Sequence, residues 1–140
     1  MTSDPVHYLS LIDVSARLRR GELKPTALSE VILARIAQHD GALKSYTTLL
    51  ADRAMAKARQ AEEELNRGLW RGPLHGVPIA VKDLCYTDYA PTAAGMRIHK
   101  DFVPTYTCTA VERLERAGAI VLGKLSRGWR ASQARTLGCL

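Results

Sequence analysis

A single lysine, Lys82, has the sequence surroundings of a group that could do acid–base chemistry. It closes an apolar run over residues 77–81 and is followed directly by Asp83. A lysine at the end of a buried strand is expected to be partly removed from water, and desolvation lowers a lysine's pKa until it can serve as a base near neutral pH. The alternative is a solvated lysine paired with Asp83, which would contribute little energy.

The other reactive side chains show no arrangement that predicts catalysis or metal binding. The three cysteines, Cys85, Cys108 and Cys139, are too few and too scattered for a disulfide framework. The four histidines lack the spacing of metal ligands, so neither a metal nor a cofactor is indicated. His75, in a turn, is interpreted as structural, and Cys85, with no histidine beside it, as a partly buried thiol.

Capping signals and apolar periodicity predict four helices and two strands that must position Lys82. The helices are expected over residues 10–20, 25–39 and 50–66, and from Thr107 or Thr109 to Ala117; the strands are expected over residues 77–81 and 119–122. Gly41 is the predicted stop of the second helix, and Thr109 with Glu112 the predicted capping box of the fourth. The strand–helix–strand order implies two parallel strands.

Residues 83–105 show no sustained period and are predicted to be mostly loop. Tyr86, Tyr89 and Tyr106 lie in or near this loop and are candidates for lining a substrate cleft. Two strands do not form a sheet that is stable alone, and three amphipathic helices would lack a complete surface to pack on. We therefore expect an α/β chain that forms the opening of a larger fold.

Residues 125–140 differ from everything before them. They contain arginine and serine, no acidic residue and no sustained period. We expect one structural unit over residues 1–124, followed by an unmatched tail that is either disordered or the product of a frameshift or truncation.

Charge and hydropathy favour a soluble, cytoplasmic protein with no nucleic-acid partner. The net charge is +6, from 20 basic and 14 acidic residues, but the tail holds three arginines and no acid, so the rest carries 17 − 14, or +3. Its charges alternate in sign along helices, as on a solvated helix face. No run approaches the roughly 18 apolar residues of a membrane span, and the amino terminus lacks the build of a signal peptide. The oligomeric state is not indicated.

Several segments resemble the amidase-signature enzymes, in the family's order. Residues 72–83, Gly-Pro-Leu-His-Gly-Val-Pro-Ile-Ala-Val-Lys-Asp, are similar to the segment that contains the family's catalytic lysine. Residues 91–96 resemble its threonine- and glycine-containing loop, and the segments 102–104, 109–114 and 117–124 resemble the helix and strand that follow. The resemblance covers residues 5–124. It implies the amino-terminal helices and first parallel strands of the family's mixed sheet, incomplete in this chain.

The resemblance also implies a reaction, the hydrolysis of a carboxylic amide by a serine nucleophile, a second serine in a cis peptide and a lysine. Lys82 takes the place of the lysine, which acts as general base through the bridging serine. The family carries both serines in a Gly/Ser-rich stretch downstream, and these 140 residues contain no Gly-Gly and no Ser-Ser pair. The chain by itself is therefore expected to be inactive.

Three functional interpretations follow from these observations. The first is part of an amidase that acts on a small-molecule amide. The second is part of the glutamine-hydrolysing subunit of a tRNA-dependent amidotransferase, which would imply partner subunits. The third is a short, non-catalytic binding protein that keeps an amidase-like front half, and it predicts a monodisperse protein that melts cooperatively.

Overall fold

The computed structural model describes residues 5–126. Within this range four α-helices and three β-strands follow one another, with two short 3-10 helices. The elements are the 3-10 helix Val6–Tyr8, α1 Leu11–Arg19, α2 Pro25–Leu43, β1 Tyr46–Leu49, α3 Ala51–Asn66, β2 Pro78–Lys82, the 3-10 helix Arg97–His99, α4 Thr109–Arg116 and β3 Ile120–Leu125. The predicted α/β class is confirmed, since helices cover a mixed sheet.

The first two helices begin where the sequence predicts, but the second ends later. The Ser10 hydroxyl accepts a hydrogen bond from the Asp13 amide at 3.1 Å and so caps α1. The predicted stop of α2 at Gly41 is wrong, because the helix continues to Leu43. The Asp40 carboxylate accepts a hydrogen bond from the Ser45 amide at 2.7 Å. A carboxylate therefore fixes the end of α2, and the glycine inside costs only about 0.5–1 kcal/mol.

The predicted capping box of α4 is also wrong. Thr109 is the first residue of the helix, and Cys108 occupies the N-cap position without a capping side-chain hydrogen bond. The other candidate cap, Thr107, is bound elsewhere. Its hydroxyl donates to Asp88 Oδ1 at 2.8 Å and accepts from the Asp88 amide at 3.2 Å. Thr107 thus fastens the long loop after β2 instead of starting α4.

The sheet has three strands, in the order β1-β3-β2. β2 and β3 are parallel, as the strand–helix–strand order predicts, whereas β1 pairs antiparallel with β3. β1 was missed because it is only four residues long and sits between two strong helices. Its Tyr-Thr-Thr-Leu sequence is nonetheless rich in residues that favour strands. β3 is the central strand of the sheet, and it is covered on both of its faces.

Helices pack on both faces of the sheet. The small face predicted for the third helix is confirmed, since Ala54 and Ala58 of α3 pack against Ile120 and Leu122 of β3. Val121 faces the other way and packs with Val81 of β2 and Val111 of α4. Alternate residues of a strand point to opposite faces. β3 is therefore held between α3 and α4, and its pairing with β2 positions the carboxyl end of β2.

Gly123 is the point where β1 and β3 approach most closely. A Cβ atom at this position would overlap the carbonyl oxygen of Thr48 and lie 3.0 Å from Tyr46 Cδ1. Because a backbone carbonyl cannot swing aside as a side chain does, we expect Gly123→Ala to lower the free energy of unfolding by about 1–3 kcal/mol. Urea unfolding followed by far-UV circular dichroism measures this.

Gly41→Ala is the matched control for this glycine substitution. Gly41 lies inside α2, and no atom approaches within 4 Å of its added Cβ. Alanine there should raise the free energy of unfolding by about 0.5–1 kcal/mol. If Gly123→Ala unfolds at the same urea midpoint as the parent chain, the close approach of β1 to β3 is not present in solution.

The structure runs slightly beyond the predicted unit of residues 1–124. Leu125 is the last residue of β3, and the Ser126 amide donates to the carbonyl oxygen of Ser45 at 2.7 Å. The rest of the predicted tail, residues 127–140, lies outside the described residues. Over residues 5–126, none of the helices has both the length and the apolar composition that crossing a membrane requires.

Candidate active site

Lys82 is the last residue of β2 and lies where the strand leaves the sheet. β2 pairs with β3, and Lys82 lies opposite Leu125 in this pairing. Its carbonyl oxygen accepts a hydrogen bond from the Cys85 amide at 2.9 Å, which turns the chain away from the sheet. The backbone of Lys82 is therefore held on both sides. Its side chain is exposed, so the described residues do not supply the desolvation that the sequence predicts.

Asp83 does not form the solvated pair with Lys82 that was the alternative interpretation. It is buried, and its charge partner is Lys124 on β3. Burial raises the pKa of Asp83, and the Lys124 ammonium together with the backbone N–H groups of Ala93 and Ala94 opposes that rise. Lys82 is thus exposed at the end of β2 and does not pair with Asp83, whose side chain lies in the protein interior.

Lys124 is a buried charged residue next to the candidate site that the sequence analysis did not single out. It is 0 % exposed, and its ammonium donates hydrogen bonds to the carbonyl oxygen of Pro91 at 3.1 Å and to the hydroxyl of Thr92. Burial lowers the pKa of Lys124, and Asp83 opposes that shift. The sequence signal that could have indicated the burial of Lys124 is its position inside the apolar run Ile-Val-Leu-Gly-Lys-Leu. Such a run is typical of a strand that is buried on both faces.

The two lysines lie side by side on neighbouring strands but face opposite ways. Val81 is in register with Lys124, and Lys82 is in register with Leu125. Because successive residues of a strand alternate between faces, Val81 and Lys124 share the buried side and Lys82 faces the other. The buried lysine thus anchors the loop that follows β2, and the exposed lysine remains available to a reacting group.

Two of the three candidate cleft tyrosines lie together. Tyr86 packs edge-on against Phe102, with ring centroids 5.8 Å apart, and lies 5.6 Å from Tyr106. Both Phe102 and Tyr106 are exposed. This aromatic cluster, made of Tyr86, Phe102 and Tyr106, follows Lys82 in the loop.

Tyr89, the third candidate, has a structural role. Its hydroxyl donates to Glu115 Oε1 at 3.1 Å, and the guanidinium of Arg53 lies 3.6 Å from the centre of its ring. Burial raises the pKa of Tyr89 far above its usual range. These contacts join the loop to α3 and α4, so Tyr89 does not line a cleft with the other two tyrosines.

His75 lies in the turn before β2 and is fully buried. Its Nδ1 atom accepts a hydrogen bond from the Arg71 amide at 3.2 Å, and its Nε2 atom lies 3.0 Å from Glu64 Oε2. Gly118, with a φ of +90°, packs so closely on His75 that an added Cβ would lie 2.6 Å from the ring. These contacts agree with the interpretation of His75 as structural.

The buried His75 should make stability depend on pH. Burial lowers the pKa of His75 in the folded chain. The unfolded chain therefore takes up a proton that the folded chain resists as the pH falls below about 6.5, and stability is lost in that direction. Urea midpoints at about pH 7.5 and about pH 5.5 should show a decrease that His75→Gln reduces. His39→Gln changes an exposed histidine and should keep the decrease of the parent chain; equal decreases in all three proteins would contradict this role of His75.

Comparisons with known proteins agree with this geometry. The family model described as Amidase matches residues 27–127, which include β2, Lys82 and the whole of β3. A match of this extent covers more than half of the chain. The chain belongs to the amidase family. The similarity between residues 72–83 and the family's lysine segment therefore lies inside the matched region.

Amidase-family relatives share much of this chain's sequence. The chain is 45% identical over 126 residues to the protein named "Putative amidase AmiD" of Mycobacterium tuberculosis (strain ATCC 25618 / H37Rv). The aligned region covers 90% of this chain and 26% of that protein. It is 41% identical over 121 residues to a glutamyl-tRNA(Gln) amidotransferase subunit of Chloroflexus aurantiacus (strain ATCC 29366 / DSM 635 / J-10-fl). That aligned region covers 86% of this chain and 25% of the subunit. The chain thus spans about a quarter of the length of these curated relatives.

Solved structures of the amidase family have the same fold over this region. The native peptide amidase of Stenotrophomonas maltophilia superimposes with a TM-score of 0.81 and 36% sequence identity, over 86% of this chain and 25% of that one. A bacterial aryl acylamidase of the amidase-signature family superimposes with a TM-score of 0.80 and 25% identity, over 87% of this chain and 26% of that one. The expected mixed sheet of the amidase-signature fold is therefore confirmed for the elements that this chain contains.

No side-chain cluster among residues 5–126 could hold a metal ion with three or more His, Cys, Asp or Glu ligands. The serines of this range are scattered over several elements. Ser126, near the end of β3, donates its hydroxyl to the carbonyl oxygen of Lys44 at 3.1 Å. It is thus engaged with the end of α2 and not with Lys82.

Proposed function

We propose that this chain is the amino-terminal part of an amidase that hydrolyses a carboxylic amide, and that Lys82 is its general base. The observation that carries the proposal is the position of Lys82. Its backbone is fixed at the carboxyl end of β2 by strand pairing and by the Cys85 turn, while its side chain is exposed. A base needs this combination of a fixed origin and a free functional group.

The proposed reaction divides amide cleavage into two steps. A neutral Lys82 accepts a proton from a bridging serine held in a cis peptide, and that serine in turn accepts the proton of the nucleophilic serine. The nucleophile attacks the amide carbon, the proton held by Lys82 returns through the bridging serine to the departing nitrogen, and the amine or ammonia leaves. Water then attacks the acyl-serine and releases the acid. Covering Lys82 with further protein would favour its neutral form, because an ammonium is costly to remove from water.

Neither serine can be assigned within the 140 residues. The sequence contains no Ser-Ser and no Gly-Gly pair, and Ser126, which follows the strand partner of Lys82, binds Lys44 instead. A polypeptide limited to these 140 residues should therefore not hydrolyse amides, because a base without its serines has nothing to activate. Activity requires a segment that carries both serines and closes over β2.

A chimaeric enzyme tests the proposal. Residues 5–126 of this chain would replace the matching segment of the Stenotrophomonas maltophilia peptide amidase, whose remaining three quarters supply the rest of an amidase. We expect the chimaera to release ammonia from a peptide amide, and the isolated 140-residue chain to release none. A well-folded chimaera that leaves the peptide amide intact, or an isolated chain that cleaves it, would contradict the proposal.

A second candidate is the glutamine-hydrolysing part of a tRNA-dependent amidotransferase. It is favoured by the 41% identity to the glutamyl-tRNA(Gln) amidotransferase subunit of Chloroflexus aurantiacus, and it would imply partner subunits. The same replacement in that subunit discriminates between the two candidates. Glutaminase activity with the partner subunits of the host, combined with inactivity of the peptide amidase chimaera, would favour the second candidate.

A further inference from the structure

Two cysteines that are far apart in sequence pack against the same apolar cluster beside β2. Cys85 follows the turn after Lys82, and Cys108 is the N-cap residue of α4. Both side chains are half-buried and pack against the cluster of Val81, Val111 and Val121. Burial raises the pKa of Cys85, and the neighbouring Cys108 thiol adds to that rise. This pair is therefore a feature of the fold, built from residues on both sides of the long loop.

A backbone hydrogen bond joins the two segments that carry the cysteines. The Cys108 amide donates to the carbonyl oxygen of Tyr86, the residue after Cys85, at 2.9 Å. A hydrogen bond of this kind places two chains at the spacing of neighbouring strands, about 5 Å. Disulfides span Cα separations of roughly 4.4–6.8 Å. Because Cys85 lies one residue from this contact, we expect the two cysteines to come within reach of a disulfide.

We propose that Cys85 and Cys108 form a redox-active dithiol that a small disulfide oxidant such as oxidised glutathione converts to an intramolecular disulfide. The inference does not depend on the proposed amidase reaction. Partial exposure of both residues admits a small oxidant. The buried ammonium of Lys124 interacts electrostatically with both cysteines, and the thiolate is the reactive species in exchange.

The exchange proceeds in two balanced steps. The thiolate of one cysteine of the pair attacks one sulfur of oxidised glutathione. A mixed disulfide forms at that cysteine and one glutathione leaves. The sulfur of the other cysteine then attacks the protein sulfur of the mixed disulfide, and the second glutathione leaves. Two protein thiols lose two protons and two electrons, and the oxidant gains both.

The disulfide would close the loop that carries the aromatic cluster. Residues 86–107 lie between the two cysteines and include Tyr86, Phe102 and Tyr106. Oxidation would therefore fasten the segment after Lys82 to the start of α4. A cross-link that closes a loop of this length restricts the unfolded chain more than the folded one, so the oxidised protein should melt at a higher temperature than the reduced one.

Peptide mapping of the intact 140-residue chain tests the proposal. The reduced chain is incubated with oxidised glutathione without denaturant, its free thiols are blocked with N-ethylmaleimide, and it is digested with trypsin. Cleavage after Lys82, Arg97, Lys100 and Arg113 places Cys85 in peptide 83–97 and Cys108 in peptide 101–113. We expect these two peptides to be recovered joined by a disulfide, at least about tenfold more abundantly than any pair that includes Cys139.

Three single variants and a denatured control make the test specific. Cys139→Ser should leave the joined peptides unchanged. Cys85→Ser should stop at the mixed disulfide on Cys108, and Cys108→Ser should stop at the mixed disulfide on Cys85. In urea the preference for the 85–108 pair should disappear.

Two results would overturn the proposal. One is recovery of Cys85 and Cys108 as blocked free thiols after native oxidation. The other is the same distribution of disulfides in the folded and the urea-treated chain. A thermal midpoint that rises on oxidation in the parent chain but not in Cys85→Ser would add independent support, and an unchanged midpoint in the parent chain would count against the loop closure.

Discussion

Lys124→Met should lower the free energy of unfolding by about 3–5 kcal/mol, because it leaves Asp83 buried without its charge partner. Lys124 is 0 % exposed and Asp83 is 2 % exposed, so water cannot replace the lost ammonium. The substitution also removes the hydrogen bonds to Pro91 and Thr92. Urea unfolding followed by circular dichroism at neutral pH measures the loss.

Two further variants test whether the loss of stability comes from breaking the Asp83–Lys124 charge pair or from replacing any lysine on these strands. Lys82→Met changes the exposed lysine on the neighbouring strand and should alter stability by less than about 0.5 kcal/mol. Asp83→Asn removes the stranded charge, so the double variant Asp83→Asn/Lys124→Met should recover at least about 1 kcal/mol relative to Lys124→Met alone. Equal urea midpoints for Lys82→Met and Lys124→Met would show that Lys124 is not buried in solution.

The sequence predicts those parts of the fold that depend on local signals. The start of α1 is set by Ser10 and that of α2 by Pro25, and both were predictable because a cap acts within a few residues. The parallel pairing of β2 and β3 follows from the strand–helix–strand order. The end of α2 was not predictable, because the Asp40 carboxylate competes with the glycine stop through a contact that periodicity does not show.

The parts that depend on distant contacts were not predictable. β1 is too short to stand out, and its place in the sheet is fixed by pairing with β3, which lies about half the chain length away. The burial of Lys124 requires Asp83, Pro91 and Thr92 to meet it, and none of these contacts follows from its own neighbours in sequence. The same holds for Cys85 and Cys108, which the sequence presents as scattered and the fold brings together.

The position of the candidate residue Lys82 at the end of β2 was predictable, but its surroundings were not. Lys82 was singled out by its apolar strand and by the resemblance of residues 72–83 to the amidase lysine segment. Its predicted desolvation is not provided by residues 5–126, since the side chain is exposed. Because the chain spans about a quarter of the length of its relatives, covering Lys82 is the expected contribution of further protein.

Lys82 should be indispensable for activity in the peptide amidase chimaera. A general base contributes about 10²- to 10⁴-fold to the rate, so Lys82→Ala should lower kcat/KM for ammonia release by at least about a hundredfold. Lys82→Arg keeps the positive charge but cannot give up its proton near neutral pH. It should therefore be as inactive as Lys82→Ala, which distinguishes a base from a lysine that only supplies charge.

The most direct test of the account compares two lysines of the same chimaera. Lys57 is an exposed lysine of α3 that contacts Gln60, and Lys57→Ala should leave kcat/KM within about twofold of the parent. Steady-state ammonia release from a peptide amide is measured for the parent, Lys57→Ala, Lys82→Ala and Lys82→Arg. The predicted result is that Lys82→Ala and Lys82→Arg lose activity, whereas the parent and Lys57→Ala keep it. A Lys82→Ala chimaera as active as Lys57→Ala would contradict the assignment of Lys82 as the base.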